Sequence, residues 1–367
     1  MYSDLSNLAV RLRGLIQQHD FSAAGQPFAV EFDALALELF KLQFECNPAY
    51  QKICAARGLT PSVVEHWTQI PVVPAAAFKE LELTSLAPIA RTTVFHSSGT
   101  TEQKPSRHFH GAESLALYEA SLWKTFEFHF GSACELMFLA PPPSQSPHSS
   151  LIHMFETVRQ KFGLSPFAFR GQVAVDGSWV LDFAAVENHL EAACESGQPL
   201  TLLGTAFSFV HLLDSLAGNN LRYSLPAGSR VMETGGYKNR SRTMPKPELH
   251  ALITQRLGVP SANIICEYGM SELSSQAYDL GIHPPSSILH PRVFRFPPWA
   301  RVQLISPETG REVADGETGI IRVFDLANVF SVAALQTEDL GVRRGDGFEL
   351  VGRAQLAESR GCSLMTA

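Results

Sequence analysis

The 367-residue sequence is 45% hydrophobic and 18% charged, with a net charge of −7 from 29 Lys and Arg against 36 Asp and Glu. An acidic balance argues against a chain that wraps nucleic acid or coats an anionic membrane, since both need excess cations opposite phosphate. The apolar fraction and length are those of a globular chain of about two domains, large enough to bury a core without disulfides. Prolines and charges break every apolar run well short of a membrane span. Met1-Tyr2-Ser3-Asp4 has no basic segment leading into an apolar block, and the cysteines at 46, 54, 134, 194, 266 and 362 form no C-x-x-C pair. The expectation is a cytoplasmic protein with reduced thiols.

The first 90 residues read mainly as helix. Phe32, Leu35, Leu39 and Leu42 form one helical stripe, and Thr60-Pro61 reads as a cap with proline in the first turn. Ile70-Pro71-Val72-Val73-Pro74 must be extended, with a short helix over Ala75 to Leu83 behind it. Thr92 to His96 is β-rich and leads into a Ser/Gly/Thr loop. Leu115 to Phe130 and Leu151 to Phe162 read as helices on either side of a strand at Glu135 to Ala140. Pro199 to Gly204, Ser229 to Glu233 and Asn263 to Glu267 read as further strands, with a helix running to Leu216 after the first. Strands alternating with helices predict a parallel sheet covered on its faces. Beyond about 290, short strands at Arg301 to Ile305, Gly319 to Phe324, Val332 to Gln336 and Phe348 to Val351 predict a small antiparallel β lobe. The basic residues Lys238, Arg240, Arg242 and Lys246 read as a solvated loop.

Three segments carry chemistry. Ser97-Ser98-Gly99-Thr100-Thr101-Glu102-Gln103-Lys104-Pro105 offers backbone N–H groups, hydroxyls and a lysine to an anion, without being a Walker P-loop. Glu267-Tyr268-Gly269-Met270-Ser271-Glu272 places an aromatic able to stack on a base before a glycine that permits an unusual backbone angle. Glu272 is able to ligate Mg²⁺. Thr337-Glu338-Asp339-Leu340-Gly341 puts an acid on a turn, where it can accept ribose hydroxyls, and Arg353 follows Gly352. Each alone also reads as an ordinary polar turn. Ser121-Leu122-Trp123-Lys124 fits S-x-x-K but lacks its partner motifs and reads as helix. His108 and His110 belong to no H-E-x-x-H, and no structural metal is expected.

In order and spacing, these segments together resemble the adenylate-forming superfamily of acyl-activating enzymes. Gly235-Gly236 resembles the glycine pair of that family beside the adenine and acyl pocket. Ile70 to Pro74 with Phe78-Lys79, Ser149 to Met154, and Leu203-Gly204-Thr205-Ala206-Phe207 resemble LuxE-type acyl-protein synthetases, the ATP-dependent subunits of the fatty-acid reductase complex of luminous bacteria. The resemblance implies an α/β fold of the adenylate-forming N-terminal type. It divides into a helical segment over 1–90, an α/β core over 91–290, a small β lobe over 291–353 and a tail over 354–367. The residues after Arg353 leave no room for the swinging C-terminal domain of acyl-CoA ligases, whose lysine has no counterpart here.

The same resemblance implies ATP and Mg²⁺ as cofactors and a fatty acid as substrate. Its partner would be an acyl reductase subunit, with an acyltransferase or thioesterase as a further candidate. Ser97, Ser98, Gly99, Thr100, Thr101 and Lys104 would hold phosphates, and Gly235, Gly236, Tyr268, Gly269 and Ser271 would line the nucleotide. Glu272 would ligate the metal, Asp339 would take the ribose, and Arg353 would orient the nucleotide. Cys362 matches the acyl-accepting cysteine of LuxE-type enzymes. A thiolate can attack an acyl-adenylate, and Arg360 nearby would favour that thiolate. Glu102 stands where many superfamily members have glycine. Two alternatives stay open: a ligase that passes a fatty or aromatic acid to CoA or a carrier-protein thiol, and a non-catalytic acyl- or nucleotide-binding subunit.

Overall fold

A computed structural model describes residues 2–22, 27–97, 104–131, 135–235, 242, 244–279 and 292–353. Four parallel strands, Glu135–Leu139, Leu200–Thr205, Arg230–Thr234 and Ile264–Tyr268, form one half of an eleven-stranded sheet. Leu200–Thr205 and Ile264–Tyr268 are buried at every position, as strands covered on both faces must be. Helices Ala112–Phe130 and Ser150–Lys161 supply one layer of core; Phe183–Ser196, Ala206–Gly218 and Lys246–Leu257 supply another.

Beyond Ile264–Tyr268 the sheet turns antiparallel. It continues through Ala277–Asp279, Phe294–Arg295, Gly347–Arg353, Ala334–Arg344, Thr318–Asp325 and Ala300–Ile305. The β segments after residue 290 are therefore hydrogen-bonded into the same sheet as the parallel core. Val73–Pro74 adds a parallel strand against Ala334–Arg344, with Val73 opposite Leu335. Its extended backbone is fixed from outside: Tyr50 Oη donates to Pro71 O at 2.8 Å and Arg57 Nη1 to Val72 O at 2.8 Å.

Helices Tyr2–Gln18, Pro27–Cys46 and Pro48–Ala56 make the N-terminal segment. Thr60-Pro61 starts a single turn rather than a helix, because no apolar stripe follows to bury it. The segment is joined to the sheet through the connection at residues 326–333, which is buried throughout. A buried loop needs a partner for each backbone polar group, and long-range side chains supply them. Gln43 Nε2 donates to Asn328 O and Val329 O at 2.8 and 3.0 Å, and Gln43 Oε1 accepts from Ala333 N at 3.0 Å. Asn47 caps its own helix through Tyr50 N and donates to Ser331 O. Ser85 N and the Thr84 hydroxyl donate to Phe330 O, and Ser331 Oγ donates to Leu83 O.

Replacing Gln43 by alanine leaves Val329 O and Ala333 N without their buried partner and Asn328 O with Ser331 N alone. Gln43→Ala is expected to lower unfolding free energy by about 3 kcal/mol, read as a lower urea midpoint at unchanged slope.

Candidate active site

The strand Ile264–Tyr268 is joined to its antiparallel neighbour Ala277–Asp279 by a connection over 269–276, buried from residue 271 onward. This connection is a loop between strands, and no helix follows Glu272. Its conformation is imposed by the 326–333 segment. Asn328 Nδ2 donates to Glu272 O at 2.8 Å, and Ser274 Oγ donates to Asn328 Oδ1 at 2.6 Å. Asp325 accepts from Ser274 N at 2.9 Å and Ser275 Oγ at 2.8 Å. Burial pushes the Asp325 carboxyl up to about 6 against these donors.

The Glu272 side chain is thereby aimed at the end of a hairpin made by Thr93–His96 and Arg107–His110. Ser106 Oγ donates to Glu272 Oε1 and Ser271 Oγ to Oε2, and Ser106 N donates to Ser97 Oγ at 3.0 Å. Both ends of the hydroxyl-rich segment, Ser97 and Ser106, are thus fixed beside the acid. Ser98, Gly99, Thr100 and Thr101 lie outside the described residues. Lys104 is exposed and pairs with Glu80 at 3.2 Å, so the structure does not bring it to Glu272. Among the described residues no Lys or Arg forms an ion pair with Glu272, whose carboxyl is pushed up by burial. A buried carboxylate held only by hydroxyls fits a hard, oxygen-seeking cation such as Mg²⁺.

The second cluster sits at an irregularity of the sheet. Asp339 lies inside the long strand Ala334–Arg344, not on a turn. The pairing with Thr318–Asp325 slips here: Ile320 faces Leu340 while Arg322 faces Gln336. Thr337 fills the bulge, its hydroxyl donating to Ile321 O at 2.9 Å and accepting from Asp339 N at 3.0 Å. Bulges re-aim side chains, commonly beside active sites. Here Asp339 Oδ2 accepts from Tyr268 Oη at 2.8 Å. Arg353 stands directly across the antiparallel pair from Asp339, its Nε 3.8 Å from Oδ1. Burial pushes the Asp339 carboxyl up, while the Tyr268 hydroxyl and Arg353 pull the other way. Tyr268 is buried among Phe294, Phe296 and Phe348, ring centroids 5.2–6.2 Å away. The cluster offers an acid able to accept paired hydroxyls beside an aromatic wall and a solvent-facing guanidinium.

Gly235 ends the Arg230–Thr234 strand with φ +68°, a left-handed angle that glycine adopts without strain. Gly236 and Cys362 lie outside the described residues. Thr234 Oγ1, just before Gly235, donates to Glu267 Oε2. Glu267 is buried, and its carboxyl is pushed up to about 7 by desolvation. Gly269 does not have a left-handed backbone angle; a Cβ there would press on the end of the Glu267 side chain, which would have to move. In the basic cluster, Lys246 departs from its reading as solvated, since it opens the helix Lys246–Leu257 and pairs with buried Glu233 at 3.0 Å; Arg242 is exposed and pairs with Asp214 at 2.9 Å, and Lys238 and Arg240 lie outside the described residues.

Ser106, His108, Thr234 and Asn328 belong to no recognisable motif, and only their long-range contacts show their part in the site. His108 Nδ1 lies 2.8 Å from Ser271 O and buttresses the Glu272 loop.

Solved structures with the same fold include 2-hydroxyisobutyryl-CoA ligase in the postadenylation state with 2-HIB-AMP, at TM-score 0.61 and 14% identity over 89% of this chain and 68% of that one. The same enzyme in an open conformation with 2-HIB-AMP and CoA gives TM-score 0.58 over 86% of this chain and 74% of that one, also at 14% identity. The fold is that of the adenylate-forming ligases. The family model of the acyl-protein synthetases, LuxE, matches residues 21–367, and the chain belongs to that family. Among its relatives, the long-chain-fatty-acid–luciferin-component ligase of Aliivibrio fischeri is 23% identical over 91% of this chain and 87% of that protein. Its namesake from Vibrio harveyi is 22% identical over 89% and 84% respectively. The chain is a ligase of the acyl-activating type, and no helix among its described residues is long and apolar enough to cross a membrane.

Burial holds the His108 imidazole down at about 4, against about 6.5 in an unfolded chain. The unfolded state therefore binds the extra proton between these values. The contribution of His108 to stability is complete above about pH 6.5 and lost as pH falls towards 4. His108→Asn keeps a donor for Ser271 O and removes the titration. The fall in urea midpoint from about pH 7.5 to about pH 5 is expected to be smaller in the variant than in the parent.

Proposed function

We propose that the chain activates a long-chain fatty acid with ATP and then carries the acyl group itself. A carboxylate oxygen attacks the α-phosphorus of ATP, the bond to the β-phosphate oxygen breaks, and pyrophosphate leaves. The Cys362 thiolate then attacks the carbonyl of the acyl-adenylate and AMP leaves, giving a thioester for delivery to a cysteine of a partner acyl reductase. The observation that supports this most directly is the joining of two clusters by a single loop, with Tyr268 bound to Asp339 and Glu272 bound to Ser106. In this reading Asp339 accepts the ribose hydroxyls, Tyr268 and Gly235 flank adenine, and Arg353 closes over the nucleotide. Ser97 and the segment after it meet the phosphates. Glu272 would hold Mg²⁺, which supplies charge compensation to the polyphosphate when bound. The relatives' printed name, with its long-chain fatty acid, favours that substrate class.

A neighbouring ligase crystallised with 2-HIB-AMP and CoA in the thioesterification state gives a second reading, in which the acceptor is CoA or a carrier-protein thiol. Intact-protein mass spectrometry after incubation with ATP, Mg²⁺ and a panel of fatty and aryl acids separates the two. The expected result is an ATP-dependent acyl adduct, labile to hydroxylamine, on the peptide containing Cys362. Cys362→Ser should lose the adduct and keep acid-dependent exchange of pyrophosphate into ATP. A full rate of product formation by Cys362→Ser with CoA would establish the second reading. Absence of exchange with every acid would exclude adenylation and leave a binding subunit.

Tyr268→Phe keeps the aromatic wall and removes one hydrogen bond to a carboxylate. It is expected to raise KM for ATP by about tenfold, from a loss of about 1.5 kcal/mol. Pyrophosphate-exchange kinetics at varied ATP check this.

A further inference from the structure

Beneath the nucleotide-side residues lies a cluster that adenylation does not use. Glu233 sits two positions before Gly235, Cys266 two positions before Tyr268, and His250 on the helix Lys246–Leu257 packs over both strands. All three residues are buried, and Glu233 is fully so. Their ligand atoms form a small triangle: Glu233 Oε2 to Cys266 Sγ 3.2 Å, Cys266 Sγ to His250 Nε2 3.7 Å, and His250 Nε2 to Glu233 Oε2 3.5 Å. Zinc bound tetrahedrally at roughly 2.0–2.3 Å by oxygen, nitrogen and sulfur sets its ligands roughly 3.3–3.6 Å apart. The triangle therefore has the dimensions of one face of such a site. A second observation points the same way. The Glu233 oxygen in the triangle is Oε2; the other oxygen of the same carboxylate, Oε1, is buried with no hydrogen-bond partner, so the group is under-satisfied where that is costly. Among the described residues this is the one group of three such side chains close enough to share an ion.

We propose that Glu233, His250 and Cys266 bind a zinc-class divalent cation that ties together the two strand ends carrying Gly235 and Tyr268. The donor set selects the metal, because thiolate and imidazole favour zinc over magnesium or calcium. Binding releases the Cys266 thiol proton to solvent, and thiolate plus carboxylate then balance the two positive charges. Lys246 competes for the same place: its Nζ stands 3.0 Å from Glu233 Oε2. Its side chain is about one-third exposed at the first turn of its helix, so the ammonium can move to water as the cation enters. Arg292 Nη1 pairs with Asp279 at 2.6 Å and also stands 3.9 Å from Cys266 Sγ, so it faces the site from the far side and stays on Asp279 as the cation enters. The site is independent of the acyl acceptor and of the acid activated.

The test is metal content and spectroscopy of the full chain. Zinc-loaded protein, dialysed and analysed by mass spectrometry of its metals, is expected to retain about one equivalent per chain. The cobalt(II) form should show a thiolate-to-cobalt charge-transfer band that Cys266→Ser abolishes. His250→Gln should weaken zinc binding at least tenfold. Lys246→Ala should strengthen it at least tenfold, a direction opposite to that of a plain ion-pair network, and it reports even where the cysteine variant fails to fold. Retention well below one equivalent in both parent and Lys246→Ala would overturn the proposal. So would a cobalt band that persists in Cys266→Ser.

Discussion

The candidate site depends on keeping a polar loop dry. Residues 326–333 run through the interior between two strands, where every unpaired N–H or C=O would cost free energy on the scale of the fold's net stability. Gln43, Asn47, Thr84 and the backbone of Leu83 satisfy the loop from its N-terminal side, and Ser274 with the backbone of Glu272 satisfies it from the other. Asn328 faces both ways. The same side chain that closes the loop's accounts fixes the backbone that aims Glu272. The helical N-terminal segment is therefore part of the site's foundation, although among the described residues no hydrogen bond or ion pair links it to the Tyr268–Asp339 pair.

A second constraint is the slip in register around Ile321. An unbroken ladder alternates side chains strictly between faces. By inserting Thr337 and letting its hydroxyl replace a ladder partner, the strand turns Asp339 onto Tyr268 without ending. Arg353 then faces Asp339 by register alone. Position thus comes from rigid sheet, while Arg353 keeps most of its side chain in water and is free to meet a ligand.

Much of this was legible in the sequence where pattern and burial coincide. The strands at Glu135–Leu139 and Leu200–Thr205 are mostly apolar runs bounded by turn residues, the pattern a covered parallel sheet favours, while Arg230–Thr234 and Ile264–Tyr268 show it only in Val231-Met232 and Ile264-Ile265-Cys266. The motif around Tyr268 and Glu272 was visible, but its setting was not. Alone the segment reads as an ordinary polar turn, yet the chain folds back as a strand because Asp325 and Asn328, fifty or more positions on, take the donors of Ser274 and Ser275. Asp339 was placed on a turn because Thr337-Glu338-Asp339 lacks an apolar alternation, and no local signal distinguishes a bulge from a turn. Lys246 was read as solvated because charge is visible in a sequence and a buried counter-ion such as Glu233 is not. Gly269 was explained by angle, whereas in the structure its angle is ordinary and the crowding comes from the carboxyl of Glu267.

The wiring of the interior has a kinetic consequence. Gln43 and Asn328 are 285 positions apart, and Asp339 meets Tyr268 across 71 positions. Contacts of such high order form late, because each closes a long loop before it is rewarded. During synthesis the parallel strands can pair while the ribosome is still adding the last hundred residues, but the Glu272 loop has no template until Asn328 has emerged and docked. The growing chain therefore passes through a stage with a sheet and no completed candidate site. On the proposed reading, a centre completed only at the end of folding cannot adenylate substrate before the body that must restrain the product exists.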